Sequence, residues 1–212
     1  MPNDHEQLKG APVPPRDTWL YSDRFLAALQ AAAQLHAAQD RKGTGIPYIS
    51  HLMGTCAIAL EYGANEDQAI AALLHDVIED IEPVEAARAT VASFGDEVLR
   101  IVEACTDSDV HPKPPWRERK AAYLAHVHEA DRAILLVSAS DKLYNVRAIV
   151  ADLHRHGMAY LAKFNPESDQ VWYYRSLVTA FRANPAHPSD LVDELDQSVI
   201  ELERLASDGA AH

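Results

Sequence analysis

Basic residues are what this chain is short of. Against 32 Asp and Glu it carries 19 Lys and Arg, a formal net charge of −13. Nucleic-acid surfaces are built on basic stripes, so this balance speaks against a nucleic-acid partner. Glycine is scarce as well, at 8 residues, and no stretch sustains the alternation of a half-buried strand. With alanine abundant, these absences favour an all-α fold. The two cysteines, Cys56 and Cys105, sit inside apolar helical patterns and form no metal-type spacing. They read as buried small hydrophobes in a reducing cytoplasm. No apolar run approaches the roughly 20 residues that span a bilayer. The first 20 residues lack the apolar core of a secretion signal. The expectation is a cytoplasmic protein with no membrane partner; nothing in the composition selects an oligomeric state.

What is present suits one domain. A hydrophobic content of 48% over 212 residues is enough for a substantial core. Residues 1–17, with Pro12-Val13-Pro14-Pro15, read as an irregular arm, 18–206 as the domain, and 207–212 as a disordered end. A first helix starts after Ser22 or Asp23 and runs to about Gln39. The two glycines and the proline of Asp40–Pro47 make a loop. A second helix covers Ile49–Glu61. A third starts at Asn65 or Asp67 and continues to near Pro83. Val84–Phe94 and Asp96–Cys105 follow, with Gly95 between them. The Pro-rich stretch Thr106–Pro115 is a loop. Trp116–Ala130, a long Ile134–His156, Asp169–Arg182 and Leu191–Leu205 complete the helices.

The run His75-Asp76-Val77-Ile78-Glu79-Asp80 concentrates the chemistry. Ile70, Leu73, Leu74, Val77, Ile78 and Ile81 keep the spacing of a buried helical stripe. A continuous helix would bring Glu79 beneath His75 and Asp80 beneath Asp76. Three carboxylates beside one imidazole are costly unless a cation or solvent compensates them. The run therefore reads as part of a metal-centred hydrolytic site.

Two further segments join it: Pro47-Tyr48-Ile49-Ser50-His51 and Ser140-Asp141-Lys142-Leu143-Tyr144-Asn145. The ordered pattern His, His-Asp, Asp resembles the signature of the HD phosphohydrolase superfamily. The resemblance implies an HD-domain bundle of about 8–10 helices, with His51, His75, Asp76 and Asp141 as metal ligands. Two imidazoles and two carboxylates suit Mn²⁺, Fe²⁺, Zn²⁺ or Ni²⁺ by ligand type, with open positions left for water and a substrate oxygen.

The resemblance narrows on Gln39-Asp40-Arg41-Lys42, the Glu79-Asp80 pair and Asp141-Lys142-Leu143-Tyr144-Asn145. These are similar to the hydrolase domain of the alarmone enzymes, over about Asp23 to Leu153, and most of all to the stand-alone small alarmone hydrolases. That likeness implies Mn²⁺ and release of the 3′-pyrophosphate of ppGpp as PPi. It gives Glu79 and Asp80 the tasks of orienting and deprotonating water, and it places Arg41 on the base and Lys42 near the phosphates. Asn145, and with less direct support Tyr144 and Arg147, would also contact the nucleotide. His36, one turn before the Arg-Lys loop, reads as structural.

Lys113, Arg117, Arg119 and Lys120 form the densest positive charge; they could receive phosphates that the metal does not hold, and a solvated helix face is the plainer reading. Trp172-Tyr173-Tyr174 read first as core packing, with the wall of the nucleotide pocket as the alternative implied by an aromatic-containing helix of the family near this point. Leu52 departs from the family, where a proline often follows the first metal histidine. The competing readings are an HD-type phosphatase acting on a nucleoside monophosphate or NADPH, and a silent nucleotide sensor. The expected partner in every case is a small nucleotide.

Overall fold

In the computed structural model, described over residues 22–110, 112–164 and 168–210, the chain is a bundle of ten α-helices and one 3-10 helix. The arm expected over 1–17 lies outside the described residues. Among those described, no strand forms; a single bridge pairs Asp40 with Pro47. Among the described residues no helix is long and apolar enough to cross a membrane.

The helices are α1 Asp23–Leu35, α2 Ile49–Glu61, α3 Glu66–Leu74, α4 Val77–Asp80, α5 Val84–Ala92 and α6 Asp96–Cys105. They continue as α7 Trp116–Val127, α8 Arg132–His156, α9 Gln170–Ala183 and α10 Ser189–Ala210. Local chemistry accounts for many of the starts. Ser22, Asp131 and Asp169 each accept a backbone N–H of the helix they open. Asn65 and Gln68 exchange reciprocal bonds as a capping box. Gly95 precedes α6 at φ 114°, a conformation that a side chain would strain.

At the centre is α3, in which Ala69 through Leu74 are all buried. It packs against α1, α2, α6 and α8, while α10 lies along α8 and α9. A helix surrounded in this way reads as apolar on every side, and its C-terminal end delivers His75 into the interior. The approach of α2 to α8 depends on Gly54. A Cβ there would overlap the Tyr144 ring, so any larger residue would force that ring or the helix to shift.

Three expectations change. The third helix is not continuous to Pro83: it stops at Leu74, and a separate turn, α4, follows His75-Asp76. The His75 imidazole takes the Ala72 carbonyl at 2.8 Å, and Asp76 sits at φ −97°, ψ −3°. The i→i−4 relation resumes at once, with Asp80 N on Asp76 O at 2.9 Å, so Glu79 and Asp80 stay one turn from His75 and Asp76. The first helix ends at Leu35, four residues short of Gln39. Finally, α10 runs to Ala210, so residues 207–210, expected to be disordered, continue the helix; residues 211–212 lie outside the described chain.

Candidate active site

Where α2, the end of α3 and the first half of α8 meet, four side chains converge. His51 Nε2 and His75 Nε2 are 3.2 Å apart. Asp76 Oδ2 is 3.2 Å from the first and 3.1 Å from the second, and Asp141 Oδ1 is 3.3 and 3.5 Å from them. Donors bound at right angles about 2.1 Å from one ion would be about 3 Å apart. The observed spacing fits a common metal, and His51, His75 and Asp141 alone already form a buried group able to hold one.

The surroundings prepare these groups as ligands. His75 Nδ1 donates to Ala72 O, which leaves the Nε2 lone pair facing the centre. Tyr48 Oη donates to Asp76 Oδ2 at 2.6 Å, Lys142 Nζ to Asp141 Oδ2 at 2.5 Å, and Asn145 Nδ2 to Asp141 Oδ1 at 2.5 Å. Burial opposes charge on both aspartates. His75 and His51 nevertheless hold Asp76 well below the carboxylate range, and Lys142 with the histidines does the same for Asp141. Burial likewise opposes charge on His75, but Asp76 and Asp141 lift it well above its ordinary value. The excess of carboxylate charge that raises the proton affinity of His75 also attracts a divalent cation, which would bind in place of that proton.

The two acids of α4 differ in their contacts. Gln39 Nε2 donates to Asp80 Oδ2 at 2.8 Å, and Gln39 Oε1 lies 2.7 Å from His36 Nδ1. His36, only 2% exposed, also stacks on Tyr48 with ring centroids 5.1 Å apart, so it braces the contacts to Asp80 and Asp76 together. Glu79 instead accepts Lys113 Nζ at 2.7 Å and the Asp107 N–H at 3.3 Å. Burial and the charge of Asp76 raise Asp80 above its ordinary value, with Glu79 adding to them against the Gln39 bond.

Beside the cage opens a cavity of about 370 Å³. The bridge at Asp40 and Pro47 closes the loop that presents Arg41 and Lys42 at its wall, with Arg41 N on Ile46 O at 2.7 Å. The Arg41 guanidinium lies 5.8 and 5.7 Å from the Tyr48 and Tyr144 ring centroids and donates to Asn145 Oδ1 at 2.6 Å. Lys120 and Lys142 bring further positive charge, and Trp116, Tyr173 and Tyr174 give aromatic surface.

The structure thus gathers His51, His75, Asp76 and Asp141 at one point, with Glu79 and Asp80 one turn further along α4, and Arg41, Lys42, Tyr144 and Asn145 at the adjoining cavity. Arg147 is not among them: it lies outside the cavity lining, 44% exposed and paired with Glu194 of α10. Nor is the basic cluster a solvated face. Arg119 and Lys120 close on Asp107, Lys113 on Glu79, and Arg117 lies 3.2 Å over the Trp172 ring. The aromatic triplet divides: Tyr173 and Tyr174 are buried at the cavity wall, while Trp172 is outside it. Gln39, Tyr48 and Lys142 are the residues whose parts the sequence left unassigned, whereas Lys120 belongs to the basic cluster already singled out. All three stand inside the quoted motifs, beside recognised residues, and that adjacency was the available signal.

Residues 28–172 match the HD domain family model. The chain is 38% identical over 130 residues to the MESH1 guanosine-3′,5′-bis(diphosphate) 3′-pyrophosphohydrolase of Xenopus tropicalis, covering 58% of this chain and 68% of that one. The Homo sapiens protein of the same name is 36% identical over 139 residues, covering 62% and 70%. Among solved structures, one described as a metazoan ortholog of SpoT that hydrolyses ppGpp superposes with a TM-score of 0.67 at 27% identity, over 84% of this chain and 94% of that one. On the family match, the likeness to these hydrolases and the fold they share, the chain belongs to the HD-domain family of phosphohydrolases, grouped with the guanosine-3′,5′-bis(diphosphate) 3′-pyrophosphohydrolases.

Proposed function

We propose that this chain hydrolyses the 3′-pyrophosphate of alarmone nucleotides, (p)ppGpp or (p)ppApp, releasing PPi, with Mn²⁺ held by His51, His75, Asp76 and Asp141. The observation that carries the reading is a juxtaposition. A four-donor cage and a carboxyl pair one turn away open beside a cavity that carries Arg41, Lys42, Lys120 and Lys142. Such cations in a protein of net charge −13 are suited to a phosphate-rich ligand.

A divalent ion bound there would acidify a water and draw charge from a phosphoryl oxygen. The protein's own groups do the rest. Gln39 occupies Asp80 Oδ2 and so fixes the carboxyl, and the raised proton affinity of Asp80 suits it to accept the proton of the attacking water. Glu79, tied to Lys113 and the Asp107 backbone, orients that water. The water oxygen bonds to phosphorus, the bond from phosphorus to ribose O3′ breaks, and O3′ regains a proton as PPi departs. Arg41 stacks on the base, while Asn145 links it to the ligand Asp141 and so ties base position to the metal end. Lys42 meets the phosphates, and Tyr144 closes the wall against α2. A cytoplasmic setting, where nucleotide substrates are found, agrees with the two free buried cysteines.

Product analysis with Mn²⁺ tests the reading, offering ppGpp, pppGpp, ppApp and NADPH in parallel. PPi from any alarmone supports it. Pi from NADPH alone would transfer the chain to the phosphatases, and no turnover by metal-loaded protein would leave only a sensor. Asp80→Asn should keep its metal and lose about 10²–10⁴-fold in kcat, the range for a general base.

A further inference from the structure

One residue of the cavity is at odds with a polyanionic ligand. Among the described residues that line it, four are cations and Asp152 is the sole acidic side chain. It is held in place, with its side chain 13% exposed. Tyr160 makes a side-chain hydrogen bond to it, and Arg155 Nη1 donates to its Oδ1 at 3.3 Å. A carboxylate in a phosphate-binding cavity repels its ligand unless it faces a part of that ligand bearing hydrogen-bond donors.

The register of α8 says which part that is. Asp141, Asn145, Ile149 and Asp152 follow one another along one helix face. The eleven residues from Asp141 to Asp152 rise about 16 Å. This is comparable to the span of a nucleoside 3′-diphosphate from its outer phosphate to the far edge of its base. At the Asp152 end the wall is aromatic and apolar, with Ile149, Tyr160 and Phe164, the last two 5.9 Å apart edge to face. The metal end takes phosphate, so the Asp152 end takes the base.

We infer that Asp152 selects guanine over adenine by accepting the N1–H and 2-amino N–H of the purine edge. The two donors lie side by side in guanine and match the two carboxylate oxygens, whose lone pairs outnumber the bonds from Tyr160 and Arg155. Adenine presents a lone pair at N1 and no 2-amino group, and a site built for paired donors rejects an analogue that lacks them. The inference deepens the proposed function and rests on it for the placing of the nucleotide, but its test does not require turnover.

Calorimetric titration of the Mn²⁺-loaded protein with GDP, IDP and ADP reads the base edge directly, since IDP keeps N1–H and lacks only the 2-amino group. GDP should bind about tenfold or more tighter than ADP, with IDP between them. Asp152→Asn should bring the three within about threefold. ADP binding the parent as tightly as GDP would overturn the inference, as would a folded Asp152→Asn protein that keeps the parent's order. Should that variant not fold, the order of the three nucleotides on the parent decides. Guanine-selective binding without PPi release would sink the proposed function and leave this inference standing. PPi release from ppGpp and ppApp at equal kcat/KM would do the reverse.

Discussion

The two halves of the site share α8 and are built on opposite electrostatic plans. At one end Asp76 and Asp141 close on two imidazoles with Glu79 and Asp80 one turn away, and Lys142 and Lys113 are spent on Asp141 and Glu79. At the other, Arg41, Lys42 and Lys120 join Lys142 around a cavity whose described lining has a single carboxylate, Asp152. The acidic half wants a metal and the basic half wants phosphate. A ligand carrying both a metal-binding phosphoryl group and further negative charge satisfies the two together. Lys142 belongs to both halves: it holds Asp141 Oδ2 at 2.5 Å and lines the cavity.

The largest effect should come from emptying the acidic half. Asp76→Ala should lose bound metal by elemental analysis and roughly 10⁴-fold in kcat, since metal stabilisation of phosphoryl charge amounts to several kcal/mol. A variant that keeps both metal and turnover would break the division drawn above. Next comes the residue the halves share. Lys142→Ala leaves Asp141 as a buried charge without its partner, and should cost about 3–5 kcal/mol in denaturant unfolding of the metal-free protein.

A smaller effect is expected from pH. In the metal-free fold His75 has a raised pKa, so its contribution to stability is complete below the unfolded value and is lost as pH rises through the folded one. Metal competes with that proton. Affinity should therefore rise with pH, by up to about tenfold per unit below the folded value, with proton release on binding. Calorimetry in buffers of different ionisation enthalpy measures both, and a flat profile would mean that His75 is not a ligand. The smallest effect is reserved for Arg147. Its pairing with Glu194 is exposed, so Arg147→Ala should leave KM and kcat unchanged and shift stability by about 1 kcal/mol or less. A large rise in KM would return Arg147 to the cavity.

Within each segment the acidic half was legible because its residues are close neighbours in the chain or fall at helical spacing, and the resemblance to the HD phosphohydrolases is what joined the three segments. His75 and Asp76 are adjacent, Glu79 and Asp80 one turn on, and Asn145 one turn after Asp141. Helix bounds were legible for the same reason: α2 and α6 begin and end as their local patterns and flanking glycines dictate. The break at His75-Asp76 was not, because the apolar stripe from Ile70 to Ile81 continues unaltered across it. The cause is a side-chain bond to Ala72 O, and periodicity does not register it. The basic half drew on segments 41–50, 116–120, 142–152, 160–164 and 170–174, and no local pattern joins them.

By itself, then, the sequence determined the helical class and the local grouping of His75, Asp76, Glu79 and Asp80, because caps, apolar periodicity and four-residue spacing act within a few turns of one helix. Joining His51 and Asp141 to that group took the likeness to a known family. Only the tertiary structure decided which charges meet. Lys113 goes to Glu79, Lys120 and Arg119 to Asp107, and Arg147 away from the cavity to Glu194, while Asp152 enters a wall otherwise supplied with cations. These choices depend on how α7, α8, α9 and α10 pack on one another. Coulombic interactions follow distance in space, and separation along the chain does not set that distance.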